Sequence, residues 1–236
     1  MFSQRLTRTV AVGAAAIAIG GGTYGIVSAI ASTGSGTTIT ARATAATSGQ
    51  RGPGAGGSSA RSGPAAGGSI GKVSSLSSSG FGLLTATGER VTVKETPSTT
   101  YETGTNAASA TGVTKGKTAL VLGTTDSTTI TATQVIVQPT NKGSRTSSKV
   151  IPFQRGAPST SKQVGQIPAG YRQGSGTIVG GTTANKATKA ALSAYPGGIV
   201  DRVVKLSNGE YEVHNIGVNW PHHIFVNPGF KVLGAD

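Results

Sequence analysis

The sequence predicts an all-β small barrel or sandwich followed by a small α+β domain, with disordered linkers flanking and joining them. Three observations carry that prediction. Five short strand-like runs fall between residues 70 and 137 with no helical pattern of comparable strength. An alanine-rich helical run followed by paired strands fills 184–236, and the stretches 32–69 and 139–183 are dominated by Gly, Ser, Thr and Pro. Only 5% of the 236 residues are aromatic while 37 are glycine, so much of the chain is expected to lie outside any core.

The chain opens with Arg5 and Arg8, followed by an uncharged run from 9 to 41 that is most apolar between 10 and 31. A basic start leading into Ala, Val and Ile is the pattern of a signal peptide or N-terminal membrane anchor over 1–31. Ala29-Ile30-Ala31 supplies the small residues at alternate positions that precede cleavage, and Gly20-Gly21-Gly22 weakens a permanently spanning helix. Residues 32–69 can bury too little apolar area to offset the entropy of ordering their backbone, and read as a flexible linker.

The first domain is expected over 70–138. Its candidate strands are 70–76, 80–86, 90–94, 118–122 and 129–137, separated by Ser77-Ser78-Ser79, Thr87-Gly88-Glu89, a longer excursion over 95–117 and a turn over 123–128. Val91 and Val93 share a face, and Ile130, Ala132, Val135 and Val137 supply inward positions. Closing such short strands into a barrel protects their edges. Phe81 is placed in the core, because the strands lack the interleaved aromatics and cations of a base-stacking surface. Gly71-Lys72-Val73, Phe81-Gly82-Leu83-Leu84, Val91-Thr92-Val93, Gly116-Lys117 and Ile130-Thr131-Ala132 together resemble the DUF5666 family, small β-domains of exported bacterial proteins with no settled activity.

Residues 139–183 read as a basic flexible linker, in which Phe153 and Tyr171 are isolated aromatics and candidate partner contacts. Order is expected again over 184–236. A helix over 185–195, capped by Thr182 or Thr183, places Ala187, Ala191 and Tyr195 on one side with Leu192 beside them, and Pro196-Gly197-Gly198 ends it. Strands over 199–206 and 210–216 flank a two-residue Asn208-Gly209 turn, both of whose residues tolerate positive φ. A last extended pair, 222–226 and 230–233, flanks Asn227-Pro228-Gly229.

Alternation puts Val200, Val204 and Leu206 on one face and Tyr211 and Val213 on one face of the partner strand. Glu210, Glu212 and His214 are left on the opposite, solvent side. Tyr195-Pro196-Gly197-Gly198, Asn208-Gly209-Glu210-Tyr211-Glu212-Val213 and His223-Ile224-Phe225-Val226-Asn227 in this order resemble a PepSY domain. That resemblance implies a secreted or membrane-associated bacterial protein, and in some cases regulation of a peptidase. The pattern departs at Val218-Asn219-Trp220-Pro221-His222, which makes Trp220 a candidate contact, with Tyr211 beside it.

Charge and chemistry narrow the function. The formal net charge is +13, yet 70–138 and 186–236 each carry five basic against four acidic residues; the excess lies mainly in 1–69 and 139–185. Cations concentrated in linkers suit solubility or contact with acidic wall polymers or anionic lipid, and nucleic acid is not expected as a partner. There is no cysteine, and His214, His222 and His223 match no metal-binding spacing. No Gly-x-Ser-x-Gly elbow accompanies the many serines, and Gly52–Gly57 lacks the Gly-Lys-Ser/Thr ending of a phosphate loop. No catalytic residue, cofactor or metal ligand is therefore assigned. The expected protein is a non-catalytic, exported envelope module that binds or regulates a protein or peptide. The alternative is a structural surface protein held by its basic linkers.

Overall fold

The computed structural model describes residues 63–139, 149–158 and 160–236. The signal peptide or anchor over 1–31 and the linker as far as residue 62 lie outside the described residues. Among the described residues no helix is long and apolar enough to cross a membrane.

The first body is a five-stranded barrel. Its strands are β1 (Ala65–Ser77), β2 (Gly80–Thr85), β3 (Arg90–Lys94), β6 (Thr118–Asp126) and β7 (Thr129–Val137), with β4 (Thr100–Thr103) and β5 (Asn106–Ala108) set outside the ring. The closed path runs β1, β2, β3, β7, β6 and back to β1, antiparallel throughout except for the parallel β3–β7 pair. The expected inward residues Phe81, Val91, Val93, Ile130, Ala132, Val135 and Val137 do fill the interior, with Val73, Leu83, Ala119 and Val121. β3 shows the period-2 alternation plainly: Val91 and Val93 are buried, and Arg90, Thr92 and Lys94 are exposed.

β1 begins at Ala65, inside the stretch expected as linker. A low-complexity reading of Ala65-Ala66-Gly67-Gly68 misses what the glycines do. β1 runs between β6 on one side and β11 (Ile199–Lys205) on the other, and a Cβ on Gly67 would strike the carbonyl oxygen of Val200. A Cβ on Gly68 would strike that of Val121. The strands can approach this closely only where side chains are absent.

Through Gly68↔Val200 and Ser69↔Ile199 the sheet of the barrel continues into the terminal body. The remaining elements are β8 (Ile151–Pro152), β9 (Val164–Gly165), β10 (Thr177–Val179), α1 (Gly181–Ala194), β12 (Tyr211–Ile216), β13 (Val218–Trp220), β14 (His223–Val226) and β15 (Val232–Ala235). Past β11 the order is β12, β14, β15, β9, while β10 pairs with the other edge of β11.

Helix α1 starts earlier than expected, with Gly180 rather than a threonine at its N-cap and no side-chain cap bond. Its buried residues Ala184, Ala187, Ala191 and Leu192 pack with Tyr195, Val200, Val203, Tyr211, Val213 and Trp220 on one face of the sheet. The hairpin after β11 is a three-residue loop, closed by Leu206 N–H donating to the Glu210 carbonyl (2.8 Å), and only Gly209 has positive φ (86°). In the turn between β14 and β15 the left-handed residue is Phe230 (φ 60°) rather than Gly229. Its ring stacks on Tyr211, with centroids 5.7 Å apart.

Residues 149–183, read as part of a linker, instead close off the terminal body where they are described. β8 pairs with β13 and β9 with β15. Because β9 sits at one edge of the sheet and β10 at the other, residues 166–176 cross the face opposite α1. They lay Ile167 and Tyr171 on Val204, Leu206, Phe225 and Leu233.

Candidate functional site

The strapped face holds most of the paired charge of the terminal body. A β-bulge between Val200 and Arg202 shifts the alternation of β11 by one residue. Val200 and Val203 therefore face α1, while Val204 and Leu206 pack under the strap. The expected grouping of Val200 with Val204 fails for this reason alone. Register then places Arg202 opposite His214, Val204 opposite Glu212, and His214 opposite His223.

Glu212, expected in solvent, is only 1% exposed. Its Oε1 lies 2.8 Å from Nδ1 of His223, and the Tyr171 hydroxyl lies 3.1 Å from that same nitrogen. Burial first, and then the Glu212 carboxylate, push the Tyr171 hydroxyl well above its ordinary range. His214, also expected to face solvent, is half-buried, with Nδ1 2.6 Å from Asp201 Oδ1. The other oxygen of Asp201 accepts from Arg202 Nη1 at 2.9 Å. Two carboxylates, two imidazoles and one guanidinium thus form adjoining pairs, and the imidazole rings stand 5.2 Å apart. A buried carboxylate is tolerable only with such donors, because removing it from water unpaired costs several kcal/mol.

His222 stays out of this cluster. Its Nδ1 approaches the Asn215 carbonyl at 3.2 Å, and desolvation holds its pKa below the usual histidine value. Among the described residues no group of three or more His, Cys, Asp or Glu is arranged to hold a metal ion.

The four candidate contacts fall in different places. Trp220 is 2% exposed, its Nε1 donates to the Lys162 carbonyl at 2.6 Å, and Tyr195 meets its ring edge-on at 5.4 Å. It therefore sits in the core and offers a partner no surface. Tyr211 is buried between the sheet and Phe230, and Tyr171 anchors the strap. Phe153, just past β8, is 56% exposed. Sequence reasoning missed Asp201, Arg202 and Glu212 as members of a cluster. The one local signal was His and Glu alternating on a strand, which reads equally well as a solvated face.

No family model, curated protein or solved structure matches the chain.

Proposed function

We propose that this protein is an exported, non-catalytic binding module of the bacterial cell envelope, one that engages or regulates a protein partner through an extended segment of that partner. The observation that carries the reading is the state of two strand edges in the terminal body. β13 and β15 are each covered by two residues of the chain's own 149–165 stretch, Ile151 and Pro152 on β13, and Val164 and Gly165 on β15. All four covering residues are exposed, as is Phe153. Edges that accept an extended segment from within the chain have the geometry to accept one from outside, and pairings this short cost little to exchange. The PepSY resemblance of 184–236 points the same way, towards modulation of a peptidase or another secreted partner.

Photo-crosslinkers placed at Phe153 and Val164 of the full chain, expressed in the source cells, test this. A discrete protein adduct at these sites, absent when the crosslinker replaces Thr92 on the outside of the barrel, is expected. Equal labelling at all three sites would sink the proposal.

A second reading, retention by acidic wall polymers or anionic lipid, is favoured by one row of side chains. Lys72, Leu84 and Arg90 are neighbours across β1, β2 and β3 and all exposed, with Lys94 further along the same face of β3. Attachment of this kind weakens steeply with salt. Cell association that persists in 1 M salt, where screening acts within about 3 Å, would count against it.

A further inference from the structure

We propose that His214 and His223 form a two-histidine site for a borderline divalent transition-metal ion, zinc(II) foremost. The inference is independent of the binding role above. It rests on three features of the strapped face.

The first is register. His214 and His223 are direct partners on β12 and β14, so their side chains leave the sheet on the same face. The second is spacing. An imidazole bound through Nε2 at the usual zinc distance has its centroid about 3.2 Å from the ion, so two on one tetrahedral ion stand about 5.2 Å apart. The ring centroids here are 5.2 Å apart, with planes inclined by 53°.

The third is the set of groups behind the rings. Each Nδ1 faces a carboxylate oxygen, Asp201 at 2.6 Å and Glu212 at 2.8 Å. An ionised carboxylate only accepts, so each Nδ1 carries the proton, and in the neutral ring the Nε2 lone pair is left for a ligand. This is the backing that metal-bound histidines use to fix tautomer and orientation.

Charge favours a cation as well. With neutral rings, Asp201 and Glu212 against Arg202 leave the cluster at −1, and Asp236 adds negative charge within reach of Tyr171 and His222. No third His, Cys, Asp or Glu joins the pair among the described residues. Two coordination positions therefore fall to water, and affinity is that of a half-ligated site rather than of a closed structural one.

The test uses Zn²⁺ alone on the purified full chain. Long-range ¹H–¹⁵N spectra of the wild type are expected to show His214 and His223 as Nδ1–H tautomers. One equivalent of Zn²⁺ should then shift both Nε2 resonances and leave those of His222 in place. Shifts confined to His222, to one ring of the pair, or to neither, would overturn the proposal.

By calorimetry, His214→Gln and His223→Gln should each weaken Zn²⁺ binding at least 10-fold. Asp201→Asn should weaken it by about 10- to 100-fold while moving the His214 tautomer signal. Unchanged affinity in the His214→Gln/His223→Gln double variant would overturn it too. The wild-type spectra decide the matter even if a variant fails to fold.

Discussion

The barrel and the terminal body are made from one continuous sheet, but they dispose of its second face differently. The barrel closes on itself, so one face of every strand meets the same apolar interior; the other face meets water along β3, while β6 and β7 turn Leu120, Leu122 and Ile136 outward into the core beneath α1. The terminal sheet stays open. It covers one face with α1 and the other with a strap drawn from a segment that composition alone would leave in solvent. Where the outer face of the barrel is wet, as on β3, a simple alternation of apolar and polar residues suffices. An open sheet covered on both sides must bury whatever its outward residues are, and here those include Asp201, Arg202, Glu212, His214 and His223, held by three ion-pair contacts that leave Glu212 Oε2 without a partner.

The largest effect should come from the residue that knits the open sheet to its coverings. Trp220→Ala removes a ring held by Tyr195, Lys162 and the helix face, and should cost about 3–5 kcal/mol in denaturant unfolding followed by circular dichroism. Because β1 is paired into both bodies, the loss should lower a single transition. A barrel that stays folded after the terminal body melts would break the picture of one shared sheet.

Next in size is Glu212→Gln, which leaves His223 without its anion under the strap. Loss of about 3 kcal/mol is expected, against under 0.5 kcal/mol for Asp126→Asn at the exposed end of β6. Equal losses would mean that the strapped face is wetter than its burial implies.

Tyr171→Phe keeps the apolar contact with Phe225 and deletes only the hydroxyl, for about 1 kcal/mol. Hydrogen exchange should quicken along β14 and not along β7. Protection that is uniformly unchanged would show that the strap is held by packing alone.

The smallest effect is a pH dependence. His222 has a folded pKa below that of the unfolded chain, so between the two values the unfolded state holds more protons and stability rises with increasing pH. The wild type should lose stability as pH drops through about 6.5, and His222→Gln should remove that part of the slope. An identical slope in the variant would refute the assignment.

Much of the barrel could be read residue by residue. Val91 and Val93, and Ile130, Ala132, Val135 and Val137, sit inward as their alternation indicates, and β3 and β7 begin and end where expected. The buried side of α1 was equally legible from Ala187, Ala191, Leu192 and Tyr195. The charged cluster was not. His214 and His223 lie nine positions apart, and nothing local says that they face one another, or that Asp201 stands on a bulge which turns Arg202 towards them.

By itself, then, the sequence determined the strands of the barrel, the helix and the order of the two bodies, because alternation, helical spacing and turn chemistry act between near neighbours. Tertiary structure alone decided that Gly67 and Gly68 are packing sites, that 166–176 is a cover, and that Glu212 and the paired histidines lie beneath it. Each of these depends on which segments come to lie beside one another once the chain has folded, or on a single extra residue in β11. Interactions between distant segments leave no periodic trace in the sequence that makes them.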